Sequence, residues 1–235
     1  MKKAAILAAG EGQRLKALCP FKPIVKVNGK ALLELTIENL QFNNFDRIVL
    51  IFNEDEKAMD LSLLPSLKKL SIEYFFKTTK SSMHSLYEVQ KRLDLKPDEH
   101  FFCTMVDSIV PQKSIEAFHL FCQTIAPHES AIMVTPYIED EKPLTVAIDG
   151  HNYVTEFQCP ITEGTLITSG IYYLSAQSMP LLESLIANGQ DKMRNFLTQL
   201  VKNNHPIKVF IVDKTLDIDR PEDIASVEAF LKEQI

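Results

Sequence analysis

The sequence predicts an α/β fold, a mixed and mostly parallel sheet with helices on both faces. Three observations carry that prediction. Strand-like runs alternate with helix-like spacings through the first half of the chain, the alternation that builds parallel sheets. Beyond Pro127 the rhythm changes to strand following strand, with Asp149-Gly150-His151-Asn152 as a turn signal between two of them. No linker, low-complexity tract or repeat interrupts the 235 residues, so a single domain over 1–235 is expected, with residues about 127–175 forming a small antiparallel part.

The elements follow in order. Residues 4–8 are an apolar run that meets a glycine-containing polar loop, and Leu32, Leu33, Leu35, Ile37 and Leu40 then recur at helical spacing. Arg47-Ile48-Val49-Leu50-Ile51-Phe52 is a β-branched run closed by Asn53, and 54–64 is expected as a helix that Pro65 stops. Residues 72–76 read as a strand, 85–93 as a helix, 101–106 as a buried strand and 114–125 as a helix. Strands are expected over 131–137, 144–148, 153–157 and 168–174. Helices at 178–187 and 193–201, a strand at 207–212 and a closing helix at 221–231 complete the chain.

Composition narrows the function. Hydrophobic residues make up 46% and charged residues 24%, the proportions of a folded soluble protein with a core. The net charge of −6 gives no positive field for phosphate backbones, so nucleic acid is not expected as a partner. Cys19, Cys103, Cys122 and Cys159 lack metal-ligand spacing, which predicts neither a zinc site nor a disulfide framework and fits a reduced, cytoplasmic setting. Lys2-Lys3 and the apolar residues after them imitate a leader peptide, but Gly10, Glu11 and Arg14 arrive too early. No run approaches the ~20 apolar residues of a membrane span, so membrane insertion is not expected. Oligomeric state is not legible from these residues.

Only seven glycines occur, and Gly10 and Gly12 stand two apart after the first strand. Such a loop lets backbone N–H groups approach phosphate oxygens, and Arg14 and Lys22 add positive charge beside it; a tight turn with surface cations is the plainer reading. No GxxxxGK[ST] string is present, and a dinucleotide fingerprint fails at Leu15, where glycine or alanine is required.

The string Leu7-Ala8-Ala9-Gly10-Glu11-Gly12-Gln13-Arg14-Leu15, followed by Lys22-Pro23 and by Pro-Ile-Val-Lys-Val-Asn-Gly-Lys-Ala-Leu-Leu-Glu, resembles the opening of nucleotidyltransferases that activate phosphorylated small molecules. Sugar-1-phosphate nucleotidyltransferases, phosphocholine cytidylyltransferase and the molybdenum-cofactor nucleotidyltransferases share it. The pattern is LAAGxGxRL and then KPhhxhxGKPLhE (h, apolar); the chain departs from it at Ala31, where proline is usual. The resemblance implies a Rossmann-like nucleotide-diphospho-sugar transferase fold and a Mg²⁺-dependent reaction. In that reaction an oxygen of the acceptor's phosphate attacks the α-phosphorus of an NTP and pyrophosphate leaves.

The resemblance also implies site residues. Leu7, Ala8, Ala9, Gly10, Glu11, Gly12, Arg14 and Lys22 would bind the nucleotide, with Arg14, Lys22 and Asp107 catalytic. Asp107 closes the apolar run Phe101 to Val106, which puts a carboxylate at a strand's carboxyl end, where α/β sheets bind ligands; it resembles the family's metal-binding aspartate. The late string Leu216-Asp217-Ile218-Asp219-Arg220-Pro221-Glu222-Asp223 resembles the family's second acidic motif. Asp217 and Asp219 share one side of an extended segment and suit one cation, while Asp219 with Glu222 also reads as a capping box for the closing helix.

Ser81-Ser82-Met83-His84-Ser85-Leu86 stands where the family reads base and sugar, with Ser82 and Ser85 as the nucleotide-binding candidates; a serine N-cap is the alternative for Ser82. Thr168-Ser169-Gly170-Ile171-Tyr172 resembles the family's second glycine-containing strand, making Gly170 and Tyr172 acceptor-binding candidates, and a strand glycine marking a bulge is the alternative. Many sugar-phosphate members carry Phe-x-Glu-Lys-Pro before that strand. Here the letters are Phe157-Gln158-Cys159-Pro160, without the lysine that contacts the acceptor phosphate, and Lys142 or another cation would have to substitute. The acceptor is expected to be a sugar-1-phosphate or a phosphoalcohol such as phosphocholine, whose quaternary nitrogen would want aromatic faces among Tyr137, Tyr153, Phe157, Tyr172 and Tyr173, for which core positions are the plainer reading. The rival reading is a catalytically silent, nucleotide-binding regulatory module.

Overall fold

The computed structural model describes residues 2–68, 72–139 and 141–233. In chain order its strands are β1 (Lys3–Ala8), β2 (Lys26–Val27), β3 (Lys30–Ala31), β4 (Arg47–Phe52), β5 (Ile72–Phe76), β6 (His100–Met105), β7 (Ser108–Ile109), β8 (Ser130–Thr135), β9 (Thr145–Ile148), β10 (Val154–Phe157), β11 (Leu166–Ser175), β12 (Ile207–Ile211) and β13 (Leu216–Asp217). The α-helices are α1 (Leu32–Phe42), α2 (Ser82–Gln90), α3 (Gln112–Cys122), α4 (Met179–Ala187), α5 (Met193–Lys202) and α6 (Asp223–Lys232).

Strands β5, β4, β1 and β6 lie side by side and parallel, with Ala5 opposite both Val49 and Cys103. β11 then runs antiparallel along β6, and β8, β9, β10 and β12 extend the same sheet beyond it. The mixed, mostly parallel sheet with an antiparallel part that the sequence predicts is therefore present. β1 is buried along its whole length, and its alternation divides the core: Ala4, Ile6 and Ala8 face one apolar cluster, Ala5, Leu7 and Ala9 the other. On the first face pack Leu33 and Ile37 of α1, Phe118 of α3 and Phe230 of α6. On the second pack Leu86 of α2, Leu182 of α4 and Phe196 and Leu200 of α5, which gives helices on both faces.

Lys3, which imitates a leader peptide's charge in the sequence, is a buried member of β1 whose ammonium donates to Glu99 Oε2 at 2.6 Å. No helix among the described residues is long and apolar enough to cross a membrane. All four cysteines are free thiols.

The helix expected over 54–64 is a correction. Three short 3₁₀ turns stand there, over Glu54–Ala58, Leu61–Leu63 and Pro65–Lys68. Asn53 and Glu56 form a reciprocal capping box, but Met59 is extended and Asp60 caps a new turn by accepting from Ser62 N–H, so the helix never propagates past its costly first turn.

Because β1, β4, β5 and β6 are parallel, their carboxyl ends share one rim of the sheet. The loops beginning at Ala9, Asn53, Lys77 and Val106 gather there, and the start of antiparallel β11 lies on the same rim.

Candidate active site

The glycine loop is built by three local constraints. Gly12 adopts a left-handed backbone (φ 55°), and a Cβ there would stand 2.9 Å from the Cβ of Lys22, so glycine answers both geometry and space. Leu15 closes the 3₁₀ turn that follows and is fully buried, which is why an anchoring leucine stands where a dinucleotide fingerprint would have glycine. Gly10 is different: its backbone is not left-handed and a Cβ would meet nothing within 4 Å. The fold does not require that glycine, and the open space beside it faces the cleft. The side chains of Leu7, Ala8 and Ala9 are buried, leaving backbone to face a ligand. Asn53, a residue the sequence reading did not single out, ties the loop to the neighbouring strand by donating from Nδ2 to the Ala9 carbonyl at 3.1 Å.

Three segments distant in sequence meet at Lys22. Its ammonium donates to Asp107 Oδ2 at 2.5 Å and to Asp219 Oδ1 at 2.7 Å. Burial alone would lower the Lys22 pKa, but Asp107 and then Asp219 outweigh it and hold the ammonium well above its ordinary value, so it stays charged. Two short strands bring the acidic segments together: in β7 and β13 Asp217 pairs with Ser108, and Ile218 N–H donates to the Asp107 carbonyl.

Asp219 is free for Lys22 because it does not cap α6. Asp223 reaches back instead, its Oδ2 accepting from the N–H of Asp219 at 2.8 Å and of Arg220 at 2.7 Å, so the capping box read from Asp219 and Glu222 is not formed. Asp217 opens onto the cleft, yet desolvation by the surrounding chain, and then the charge of Asp107, raise its carboxyl above the ordinary carboxylate range.

Ser82 opens α2 and Ser81 is its cap, so the capping role falls one residue earlier than the alternative drawn from the sequence. Ser85 is buried and bonds the hydroxyl of Thr79 at 2.7 Å. With Leu7, Ala9, Gly10 and Lys80 these serines line a hollow of about 340 Å³ beside the glycine loop.

On the other side of the cleft, Gly170 has φ 74° and a Cβ there would stand 2.3 Å from Ser108 Oγ. The β11–β8 register shifts between Thr168 and Tyr172, so the glycine marks a bulge and also admits Ser108. Tyr172 is buried in the sheet's core, where desolvation raises its hydroxyl's pKa, and its hydroxyl bonds Thr168, which lines the cleft. The other aromatic candidates disperse: Phe157 is buried, Tyr153 bonds Glu129, Tyr173 stacks on His100, and Tyr137 alone lines the cleft, with the Lys214 ammonium 4.1 Å from its ring centroid. Those five rings form no box for a quaternary ammonium.

Arg14 projects into the cleft and lies 3.7 Å from Glu141, which also pairs with Arg220. Glu141 and Arg220 were not singled out from the sequence; Glu141 lies in a loop without a motif, and Arg220 stands among the carboxylates of the late acidic string.

The nucleotidyl transferase family profile matches residues 3–234, nearly the whole chain. The chain belongs to the nucleotidyl transferase family. It is 30% identical over 127 residues to 2-C-methyl-D-erythritol 4-phosphate cytidylyltransferase of Thermosipho africanus, covering 51% of this chain and 55% of that protein. It is 25% identical over 228 residues to the bifunctional protein GlmU of Rippkaea orientalis, covering 93% of this chain and 49% of that one. The chain thus spans about half the length of the curated relatives it matches. In fold it is similar to the inositol-1-phosphate CTP transferase of T. maritima, with a TM-score of 0.80 at 20% identity, covering 99% and 97% of the two chains. A Bacillus anthracis chain assigned as a glucose-1-phosphate thymidylyltransferase gives 0.81 at 14% identity, covering 99% and 96%. These two likenesses support the nucleotide-sugar transferase fold. Nucleotidyl transferases of this family typically use a divalent metal.

Proposed function

We propose that the protein is a Mg²⁺-dependent nucleotidyltransferase that joins the NMP of an NTP to a phosphorylated sugar or polyol and releases pyrophosphate. The observation that carries this reading is the junction at Lys22, where an ammonium and the carboxylates of Asp107 and Asp219 meet beneath the glycine loop at the ligand-binding rim.

The donor set fits a divalent cation. Lys22 bonds the carboxylates of Asp107 and Asp219, and Asp217 lines the same cleft as Asp219. Among the described residues no group of three or more acidic, histidine or cysteine side chains is placed to hold a metal ion by itself. One or two carboxylates completed by substrate phosphate oxygens is the arrangement magnesium favours. Asp107 with Asp217 or Asp219 would hold the ion, which supplies charge neutralisation at the α- and β-phosphates.

The chain's own groups do the rest. Backbone N–H groups around Gly10 and Gly12 bind the triphosphate, and the hollow lined by Ser82 and Ser85 takes base and sugar. Lys22, held by its two carboxylates, is preorganised where charge develops on the α-phosphate in the transition state. The acceptor's phosphate is already anionic, so its oxygen forms the new bond to the α-phosphorus without a general base. The bond to the bridging β-phosphate oxygen breaks and pyrophosphate departs toward Arg14. The acceptor side is the part built on residues 127–175, with Gly170 at its edge.

A sugar or polyol phosphate is favoured over phosphocholine because the aromatic rings disperse, and because the similar proteins are named for phosphates of methylerythritol, inositol and glucose. Cytoplasmic location belongs to the same proposal, as the setting where NTPs and such acceptors are available. The test is product analysis by mass spectrometry. CTP, UTP, GTP, ATP and dTTP are each incubated with Mg²⁺ and a panel of sugar and polyol phosphates, with phosphocholine alongside. A nucleoside-diphosphate conjugate of one sugar or polyol supports the reading. A choline conjugate would overturn the acceptor class, and saturable NTP binding without product from any acceptor would support the silent regulatory module.

A further inference from the structure

The loop between β8 and β9 carries Glu141 across the cleft mouth, where its carboxylate meets two arginines from opposite ends of the chain. Oε2 lies 3.7 Å from Arg14 Nη2, and Oε1 accepts from Arg220 Nη2. The cavity of about 110 Å³ beneath is lined by Arg14 and Arg220 themselves, by Asp217 and Asp219, and by Ile167 and Thr168 of the part proposed for the acceptor, and it shares no lining residue with the serine-lined hollow. Arg220 is held there by its own backbone, whose N–H donates to Asp223.

Two guanidinium groups converging on one carboxylate make a seat suited to an anion that offers several oxygens, because an arginine fork matches phosphate bidentately. The three partners are largely exposed, with side-chain exposures of 58%, 59% and 38% for Arg14, Glu141 and Arg220, and exposed ion pairs contribute little to stability. Opening this contact therefore costs little, while a phosphate brings more charge and more acceptor oxygens than the carboxylate it replaces.

We propose that Arg220 binds the phosphate of the acceptor, with Arg14 beside it left to the departing pyrophosphate, and that Glu141 holds Arg220 in the free protein and is displaced when the acceptor enters. The role rests on the nucleotidyltransferase reading, and it supplies the acceptor-side cation that Cys159 does not. Arg220 is thus a substrate-binding residue and Glu141 an internal competitor for the same site.

Inorganic phosphate, titrated calorimetrically into the NTP-free protein, probes the seat without requiring turnover. Glu141→Gln is expected to tighten phosphate binding by about fivefold and Arg220→Met to weaken it by about tenfold. In the double variant the gain from Glu141→Gln should vanish, because the competition acts through Arg220. Unchanged phosphate affinity in both single variants, or no uptake by the wild-type protein at millimolar phosphate, would overturn the proposal. Steady-state kinetics then separate the two phosphate-bearing substrates. Arg220→Met should raise the KM of the acceptor with that of the NTP changed by less than about twofold, and the reverse pattern would overturn the assignment to the acceptor. Should no acceptor turn over at all, the nucleotidyltransferase reading fails while the phosphate titration still reports on the seat.

Discussion

Gly10 and Gly12 stand two residues apart and yet should respond oppositely to the same substitution. At Gly12 an alanine must hold a left-handed backbone, which costs roughly 1–2 kcal/mol for an L-residue. Its Cβ would also press to 2.9 Å of the Lys22 Cβ, a backbone-borne atom that cannot swing aside, so a total near 2 kcal/mol is expected, or a Tm lowered by about 4–8 °C in a chain of this size. At Gly10 neither term exists, since no atom lies within 4 Å of the added methyl and the backbone is ordinary. Restricting the unfolded chain should leave Gly10→Ala as stable as wild type or up to about 0.5 kcal/mol more stable.

If the backbone at Gly10 approaches phosphate oxygens, however, the methyl occupies ligand space. The NTP affinity should then fall by about tenfold, or about 1.4 kcal/mol. Thermal melts and nucleotide titrations on both variants read the two effects separately. A Gly10→Ala protein that is stable and binds NTP within about twofold of wild type would refute the argument that a ligand explains this glycine.

Three further outcomes are expected. Gly170→Ala should destabilise by about 2–3 kcal/mol in urea titration, because φ is 74° and the Cβ meets Ser108 Oγ at 2.3 Å; pairing it with Ser108→Ala should recover part of that loss, and full additivity would contradict the contact. Desolvation pushes the buried Glu56 carboxyl from its usual 4.5 up to about 7, against the Asn53 N–H that favours its charge. Its stabilising contribution is therefore complete below about pH 4.5 and is lost as pH rises through 7. Glu56→Gln should match wild type near pH 4 and gain on the order of 2 kcal/mol at pH 8, and an equal effect at both pH values would contradict the shift. Lys22→Met should lower kcat about 100-fold and cost roughly 2–4 kcal/mol of stability, since it abandons the mostly buried Asp107 as well as the exposed Asp219; kcat within about threefold of wild type would remove Lys22 from the chemistry.

Most of the sheet was legible in the sequence because its strands are either wholly apolar, as in Ala4 to Ala8, or bounded by strong turn signals. The failure over 54–64 has a local cause, since Asn53 and Glu56 supply a genuine helix start while Asp60 begins a competing turn one residue after the chain has become extended. The meeting of Asp107 with the late acidic segment rests on the two-residue strands β7 and β13, too short to carry a periodic signal. Asp219 and Asp223 show the limit of reading caps from spacing: both are suited to the helix start, and only the path of the chain decides which one Lys22 receives. The aromatic residues of the middle region left core and choline box open as readings, because closeness in sequence says nothing of which sheet face or edge each ring occupies. Glu141 had no sequence signal at all, since its significance arises from two arginines that only the fold brings together.

The central claim, that the Lys22 junction is the centre of a metal-dependent nucleotidyl transfer, is tested most directly by pyrophosphate release with wild-type protein and Asp107→Asn side by side, with Mg²⁺ and after its removal by chelation. The account predicts release with one NTP and one sugar or polyol phosphate, abolished by chelation and lowered at least about 100-fold by the substitution, while the variant remains folded. Turnover that survives chelation, or an Asp107→Asn protein that releases pyrophosphate at a near wild-type rate, would contradict it.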